Sequence, residues 1–430
     1  MRGIRHGGVT MAIYDITGNE LVADNDVVEP DHYDIPVLTI TGTLPTTKDQ
    51  GNLPVLLNYK SNTLEFNCFA TLKVQGNSST GFPKKNFTIK LYSDSGRTKK
   101  FKTDFKGWGA QSKYVLKANW VDITHARNVV SARIWADIVK CRDYWASLPE
   151  ELKTSPNQGA IDGFPVRIYA NNVYQGRYTL NIPKDKWMVN MDDSLETNCI
   201  LCSENYVSGC FRASAVIDGD DWTDEIHDTV PQLIVNRWNQ VISFVMTSSD
   251  SEFVSNIDSY FNVESLVDYY IYAYVSTGLD SLGKNQLFFT YDGQKWIASM
   301  YDMEGVWGMF YNGSKFVSPQ YRMQEDYEVG NPHNTSNLLY DRLEALFGDK
   351  IKSRYAELRS TVLSPEHIIN RFKEFTEITP QSIIELDYAS STGGGQFVNI
   401  PSKTTNNIVQ IRENVFARLA YVDGKIAELT

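Results

Sequence analysis

Alternating apolar and polar residues predict β-strands through the first half of the chain. In residues 86–92, Phe87, Ile89 and Leu91 alternate with polar side chains, which is the period-two pattern of a strand with one buried face. The same reasoning predicts strands at 37–41, 64–74, 114–118, 166–170 and 173–180. Two asparagines separate the last two runs, and because asparagine accepts a positive φ they predict a hairpin turn.

The longer period of α-helices appears from residue 125 onward. In residues 125–142, Val130, Ile134 and Ile138 recur at helical spacing. Further helices are predicted at 233–246, 265–275, 337–375 and 404–429, and a hairpin at 286–291 and 296–300. Strands followed by helices indicate an α+β fold with a strand-rich N-terminal half, a helix-rich C-terminal half and a cleft between two lobes.

Charge and hydropathy exclude several classes of protein. Lysine and arginine number 41 against 52 aspartates and glutamates, so general nucleic-acid binding, which depends on a cationic surface, is not expected. No apolar run approaches the ~18–20 residues of a membrane span. The basic residues 1–8 lack the apolar segment of a secretory signal, and Met11 reads as a second, more natural start.

Two acidic segments in the C-terminal half carry the most informative chemistry. Asp280 and Asn285 are five residues apart, the offset at which protein kinases place a catalytic aspartate and a metal-binding asparagine. Such an aspartate accepts the proton of an attacking hydroxyl, and the asparagine oxygen helps to hold a divalent ion on the phosphates. Residues 302–305 follow the next predicted hairpin and resemble the kinase element that binds Mg²⁺. Taken alone, the first pair is also explained by a turn cap and a strand start.

A basic segment in the N-terminal half is the counterpart of these acids. Residues 84–106 hold eight lysines and arginines and two aspartates in an otherwise acidic protein. The preceding turn at 75–81 is rich in small residues, whose backbone N–H groups can form an anion-binding nest. Together the two features fit a nucleotide phosphate site. A solvated, charged hairpin is the alternative explanation.

Five ordered motifs, over about residues 60–430, resemble those of the CotH kinase family of spore-coat proteins. They are Gly76-Asn77-Ser78-Ser79 with 83–91, residues 116–124 with Arg127-Asn128, residues 166–180, Asp280 with Lys284-Asn285, and residues 302–305. Their shared order is more specific than any single motif. The resemblance implies an atypical protein-kinase-like fold that binds ATP with Mg²⁺ or Mn²⁺ and phosphorylates Ser or Thr of a protein partner.

The resemblance also implies a role for each site residue. Catalytic roles fall on Asp280 and Lys284, and metal ligation falls on Asp302, Glu304 and Asn285. Nucleotide contacts are implied for seven further residues, which are Asn77, Ser78, Lys84, Lys85, Lys90, Asn119 and Arg127.

Some of these assignments carry alternatives, and four positions depart from the family pattern. Lys90 is the expected phosphate contact ahead of Lys84 and Lys85, and Arg127 pairs either with Asp122 or with a phosphate. Lost charges would weaken nucleotide binding, so a catalytically inactive derivative stays open. The departures are Gln75 and Thr80 where the family commonly has arginine, Asn181 where it usually has glutamate, and Glu304 where it usually has aspartate.

The predicted organisation is an extended leader at 1–60, a kinase-like N-lobe with insertions at 61–225 and a helical C-lobe at 226–430. Residues 12–21 resemble leaders of bacteriophage tail and virion proteins. The alternative function is therefore a catalytically weak or inactive structural or adhesion component of a phage tail or virion. A glycoside hydrolase is disfavoured, because its two carboxylates usually come from separate elements. The expected partner is a protein substrate or a coat-assembly protein, and cytoplasm, spore coat and virion are the candidate locations.

Overall fold

Seven strands close into a barrel in the computed structural model of this protein, which describes residues 35–143, 145–214, 217, 220–324, 326, 336–390 and 407–429. The strands are β1 (Val37–Gly42), β2 (Leu53–Lys60), β3 (Glu65–Gln75), β4 (Asn86–Tyr92), β5 (Lys113–Lys117), β6 (Gly163–Ala170) and β7 (Val173–Asn181). Their order is β1-β2-β3-β4-β5-β7-β6. Neighbours are antiparallel except β1 and β6, whose parallel pairing closes the barrel.

The barrel accounts for the alternation in the sequence. On β4, Phe87, Ile89 and Leu91 belong to the hydrophobic core, whereas Thr88 and Lys90 are only half-buried on the opposite face. The predicted hairpin between β6 and β7 is confirmed, and both asparagines of its turn have positive φ angles of 48° and 64°. The outer face of β4 and β5 is the surface on which the site described below is built.

Helices dominate the second half of the chain. They are α1 (Arg127–Lys140), α2 (Glu150–Thr154), α3 (Tyr206–Gly209), α4 (Gln232–Thr247), α5 (Asp250–Asn256), α6 (Val263–Ser276), α7 (Leu338–Leu346), α8 (Gly348–Arg359), α9 (Pro365–Thr376), α10 (Gln381–Ser390) and α11 (Asn407–Ala427). Nearly every residue of α6 is buried, and this helix packs against α1, α8, α11 and β11. It is therefore the central helix of this half.

A second, four-stranded sheet holds the acidic segments. Its strands are β8 (Cys199–Ser203), β9 (Trp222–Asp224), β10 (Leu287–Thr290) and β11 (Ile297–Ser299), in the order β11-β10-β8-β9. The antiparallel pair β10–β11 is the predicted hairpin. Residues 280–285 lead into β10 and residues 302–305 follow β11, so one hairpin positions both segments.

The mixed α and β class, with strands in the first half and helices in the second, is confirmed. The region 337–375, predicted as helical, divides into three helices. Strands β1 and β2 lie within the predicted leader and belong to the barrel. The phage-like residues 12–21 and the glycine-rich residues 391–395 lie outside the described residues. Among the helices that are described, none has the length and apolar character needed to cross a membrane.

Candidate active site

A cavity of about 180 Å³, here called the pocket, lies against the outer face of β5. Three lysines line it, and each has a carboxylate partner; Lys113 Nζ, for example, lies 2.8 Å from Asp185 Oδ2. Their ammonium groups suit an anionic ligand. The wall also contains apolar side chains and the ring of Tyr301, which suit the flat, uncharged part of a ligand. The lining residues are Gln75, Thr88, Lys113, Val115, Lys117, Asn128, Ile161, Asn181, Ile182, Pro183, Lys184, Glu225 and Tyr301.

An ion pair between the barrel and the second sheet stands at the pocket. Lys117 Nζ, at the end of β5, lies 3.6 Å from Asp302 Oδ1, and their side chains are 10% and 36% exposed. Burial alone would lower the pKa of Lys117, but the charges of Asp302, Tyr301 and Glu304 raise it above its ordinary value. Lys117 is therefore a protonated, partly shielded cation, whereas the Asp302 carboxylate stays open to an incoming ligand.

Glu304 is a carboxyl group without a hydrogen-bonding partner for one of its oxygens. Its Oε1 is buried and unpaired. Burial, together with the nearby charge of Asp302, raises the pKa of Glu304 to about 7. An unpaired buried acceptor beside a second carboxylate destabilises the site unless a cation compensates for it. This is the electrostatic situation that a bound divalent ion would relieve.

The catalytic-loop candidates form a tight turn before β10. Asp280 begins a 3₁₀ turn, and the backbone N–H of Lys284 donates to the Asp280 carbonyl at 2.8 Å. Asp280 Oδ1 accepts a hydrogen bond of 2.9 Å from the Tyr206 hydroxyl. Burial and the charge of Asp302 raise the pKa of Asp280, so the two aspartates are electrostatically coupled. Asn285 completes the turn in the left-handed region, at φ 62°.

A second lysine of the pocket has its own carboxylate partner. Lys184 Nζ lies 2.6 Å from Glu225 Oε1 and 4.6 Å from the centroid of the Tyr301 ring. Burial would lower the pKa of Lys184, but Cys202, Glu225 and Tyr301 raise it well above its ordinary value. Lys184 and Lys117 therefore approach Tyr301 as two cations, each with a carboxylate partner of its own.

Two asparagines shape the walls of the pocket. Asn128, in the first turn of α1, accepts a 3.0 Å hydrogen bond from the backbone N–H of Met303 and so fixes the segment between Asp302 and Glu304. Asn181, at the end of β7, folds over Gly163, where an added Cβ would lie 2.1 Å from the Asn181 Oδ1. That oxygen is buried without a hydrogen-bonding partner.

Two residues expected to contact the nucleotide support the site from behind. Arg127 is fully buried, donates to Asp122 Oδ1 and donates to the Val306 carbonyl at 3.2 Å. Of the two partners left open by the sequence, it therefore contacts Asp122. Asn119 donates at 3.0 Å to the Thr179 hydroxyl and stands at φ 46°, directly after β5. Both residues hold the backbone around Lys117 and Asp302.

Two of the expected phosphate lysines point away from the pocket. Lys84 Nζ lies 3.5 Å from Asp387 Oδ1, which also accepts a 2.8 Å hydrogen bond from the Arg177 backbone N–H. Asp387 Oδ2 lies 3.3 Å from His125 Nε2. These four residues, whose side chains are at most 12% exposed, are here called the Asp387 cluster. Lys85 closes its own turn by donating to the Thr80 carbonyl at 2.8 Å. The positions of Lys84 and Lys85 therefore give no support to phosphate contact.

The remaining expected residues lie near the pocket without lining it. Lys90 is half-buried on the outer face of β4, where it pairs in register with the pocket residue Lys113. Asn77 and Ser78 are exposed in the turn between β3 and β4, directly after the pocket residue Gln75. The turn is thus at the edge of the pocket, as the nest hypothesis requires, and its side chains face solvent.

Sequence reasoning missed Lys117, Lys184 and Tyr206. A signal for Lys117 was present, because it lies within the motif at 116–124 and alternates with the core residues Tyr114 and Leu116 on β5. Lys184 lies in an irregular segment after β7, and Tyr206 begins the four-residue helix α3. Neither segment is long enough to show alternation or helical spacing.

Comparison with known proteins agrees with this geometry. A family model described as CotH kinase protein matches residues 72–422. The chain belongs to the CotH kinase family. The matched region contains every pocket residue, the loop at 280–285 and the segment at 302–305. The family is kinase-like, which points in general terms to ATP, a divalent metal and a protein substrate. Comparison with curated proteins gave no match.

Proposed function

We propose that this CotH family member is an active, ATP-dependent atypical protein kinase with a two-lobed arrangement around the pocket. It would transfer the γ-phosphate of ATP to a hydroxyl group of a protein partner. The observation that carries the proposal is the ion pair between Lys117 and Asp302, 3.6 Å apart beside a pocket with three lysines. A lysine on a barrel strand and an aspartate after a hairpin are the two groups that kinase chemistry requires at the phosphates.

The residues present fit a divalent cation. Asp302, Glu304 and Asn285 offer only oxygen ligands, which Mg²⁺ and Mn²⁺ prefer. The Oε1 of Glu304 has no hydrogen-bonding partner, so this oxygen is available as a metal ligand. A bound divalent ion would neutralise the charge of the transferring phosphoryl group. In this proposal Asp302 and Glu304 hold the metal, and Asn285 supports it from the turn before β10.

The lysines of the pocket would receive the phosphates. Lys117 takes the phosphate-binding role that the sequence had placed on Lys90, because Lys117 lines the pocket and faces Asp302. Lys113 and Lys184 add two further cations to the same wall. A triphosphate carries several negative charges, so three lysines provide attraction that one lysine could not. Tyr301 would lie beneath the nucleotide, between the two lysines that approach its ring.

Asp280 would act as the general base toward the acceptor hydroxyl. It stands in the turn that also carries Asn285, and its carboxylate is coupled to that of Asp302. A raised pKa makes a carboxylate a better proton acceptor. Lys284, at the end of the same turn, would counter the charge that develops beside Asp280.

Phosphate transfer to a generic protein acceptor, such as casein or myelin basic protein, tests the proposal. The folded wild-type chain is incubated with γ-labelled ATP and Mn²⁺ or Mg²⁺, alongside Asp280→Asn and Asp302→Asn. Labelling of protein that needs the metal and disappears in both variants supports the kinase. Absence of labelling together with absence of ATP binding would refute it.

A second candidate is a binding or structural role with little catalysis, including the phage-tail component considered from the sequence. The observation in its favour is Asn181, which lines the pocket at a position where the family usually has glutamate. A neutral amide there removes a negative charge that could orient a lysine. This candidate predicts that the chain folds normally and shows no metal-dependent affinity for ATP.

A further inference from the structure

A tyrosine hydroxyl already occupies the position of a phosphate acceptor. The Tyr206 hydroxyl donates a 2.9 Å hydrogen bond to Asp280 Oδ1. A general base must lie within this distance of the proton that it removes. In a kinase, the group that makes this contact with the catalytic aspartate is the acceptor hydroxyl. The contact was not anticipated from the sequence and is not needed to bind a nucleotide.

The turn that carries Tyr206 is pressed directly onto the catalytic loop. Helix α3 is so close that a Cβ added to Gly209 would lie 1.6 Å from the carbonyl oxygen of Gly283. The Gly209 carbonyl also accepts hydrogen bonds from Gln286 Nε2 at 2.8 Å and from Asn337 Nδ2 at 3.0 Å. A glycine at this position permits an approach that any other residue would block.

The other end of the same helix is equally well fixed. Asn205 caps α3, and its side-chain oxygen accepts hydrogen bonds from the backbone N–H groups of Val207 and Ser208. The Asn205 amide in turn donates to Asp221. Tyr206 therefore stands on a short turn held at both ends, and its hydroxyl is presented to Asp280 with little freedom to lose on reaction.

We propose that Tyr206 is an intramolecular phosphate acceptor, so that this chain modifies itself in cis at Tyr206. The inference rests on the kinase function proposed above. The Tyr206 oxygen forms a bond to the γ-phosphorus of ATP, the bond between that phosphorus and the bridging β,γ-oxygen breaks, and ADP leaves with the bond's electrons. The phenol proton passes to Asp280 and then to solvent.

The modification would change the site itself. A phosphate on Tyr206 adds about two negative charges next to Asp280. Repulsion between the phosphate and the carboxylate would break the 2.9 Å contact and move the Tyr206 side chain away from the base. The space beside Asp280 would then be open to the hydroxyl of a separate protein. Phosphorylation of Tyr206 thus acts as the event that admits an external substrate.

The experiment follows phosphate on the full chain. Wild type and Tyr206→Phe are incubated with ATP and Mn²⁺, and phosphorylated residues are located by mass spectrometry of peptides. Tyr206→Phe removes only the hydroxyl and keeps the packing of the ring. Tyr311→Phe is the matched control, because Tyr311 is the other tyrosine electrostatically close to Tyr206 and is 49% exposed. We expect one phosphate per chain at Tyr206 in wild type and in Tyr311→Phe, and none at residue 206 in Tyr206→Phe.

The rate of labelling distinguishes cis from trans transfer. Transfer within one molecule gives a first-order rate constant that does not change when the protein is diluted, and this is the expected result. ATP binding and phosphorylation of other residues without phosphate on Tyr206 would overturn the inference and leave the kinase function intact. A rate constant that falls in proportion to protein concentration would overturn transfer in cis. Absence of metal-dependent ATP binding would overturn the kinase function and, with it, this inference.

Discussion

Two aspartates of this protein, Asp387 and Asp302, face basic side chains, and they differ in how far the carboxylate is exposed to solvent. In the Asp387 cluster, Lys84, His125 and Arg177 converge on a carboxylate that is buried with them. At the pocket, Lys117 meets Asp302, whose side chain remains 36% exposed next to a cavity. The Asp387 carboxylate is enclosed by its partners and is only 7% exposed. The Asp302 carboxylate remains accessible, so it is the one that a ligand can reach.

Lysines that stabilise the fold thus differ in their surroundings from the lysines that we propose to bind the nucleotide. Asp387 is carried by α10 and reaches strand β7 of the barrel, so the cluster joins distant parts of the chain. Burial alone would raise the pKa of Asp387, but Lys84, His125 and Arg177 lower it far below its ordinary value. Because Asp387 holds Lys84 in a buried ion pair, moving Lys84 to a phosphate would leave the Asp387 carboxylate with one cation fewer. Lys84 and Lys117, both on the strand-rich half of the chain, therefore lie in different electrostatic surroundings.

The largest expected effect is the loss of activity on replacing the pocket lysine. Lys117→Met removes the cation that faces Asp302 and keeps the length of the side chain. Because stabilisation of developing phosphate charge by one such group contributes about 10²–10³-fold to turnover, we expect phosphate transfer to fall by roughly that factor. The thermal unfolding midpoint should change little, since the Asp302 carboxylate is accessible to water. Unchanged transfer would remove Lys117 from the phosphate site.

The matched replacement in the Asp387 cluster should act on stability. Lys84→Met leaves a buried carboxylate with one cationic partner fewer, and removing one partner of a buried ion pair costs about 3 kcal/mol or more. We expect the free energy of unfolding in urea to fall by about that amount, while ATP-dependent transfer by the folded fraction is retained. Loss of transfer at full stability would show that Lys84, as the sequence suggested, contacts the nucleotide.

The next effect is a pH dependence that belongs to the same cluster. Burial, reinforced by the positive charge of Arg177, lowers the pKa of His125 to about 4. The unfolded chain, with an ordinary histidine pKa of ~6.5, binds more protons than the folded chain between these two values. Stability contributed by neutral His125 is therefore present above pH ~6.5 and is lost as the pH falls toward 4, by on the order of 3 kcal/mol.

Urea unfolding of wild type and His125→Gln at neutral and acidic pH measures this contribution. The variant should be less sensitive to acidification between pH ~6.5 and ~4, because it has no imidazole to protonate. Equal sensitivity of the two proteins would show that His125 does not stay neutral in the folded state.

The smallest expected effect is at Lys90. Lys90 lies half-buried on the outer face of β4, on the same side as Thr88. It pairs in register with Lys113 of the pocket, but its own side chain does not line the pocket. Lys90→Met should change the unfolding free energy by less than about 0.5 kcal/mol and should leave phosphate transfer close to wild type. A large loss of transfer would mean that the triphosphate extends beyond Lys113 along β4, as first expected from the sequence.

Local sequence patterns predicted the individual strands and helices, but not the long-range pairing that assembles the strands into a barrel. The strand at 86–92 and the hairpin between β6 and β7 follow from alternation and turn chemistry. Closure of the barrel does not, because it depends on parallel pairing of Val37 with Arg167 and their neighbours, which are far apart in the chain. The short strands β8 and β9 are too brief, at five and three residues, to show a period.

The acidic part of the site was accessible from the sequence, and its basic part was not. Asp280 and the segment at 302–305 stand in order around one hairpin, so local spacing indicated them as candidates. The lysines were harder to assign, because Lys84 and Lys117 differ only in which carboxylate the fold places opposite them. Asp387 comes from a helix near the end of the described chain, and the sequence around Lys84 does not indicate that Asp387 is its partner. The charged residues can be counted from the sequence, but the structure is needed to see which of them form ion pairs.

Calorimetric titration of the folded protein with ATP, with and without Mn²⁺, shows whether Asp302 and its neighbours form a metal-dependent nucleotide site. Asp302→Asn is the decisive variant, since asparagine accepts the φ of 54° at this position and keeps the shape of the side chain. We expect a dissociation constant near micromolar, roughly −8 kcal/mol, that requires the metal, is lost in Asp302→Asn and persists in Lys84→Met. Absence of binding in the wild type, or binding that survives Asp302→Asn unchanged, would contradict a nucleotide site at Asp302.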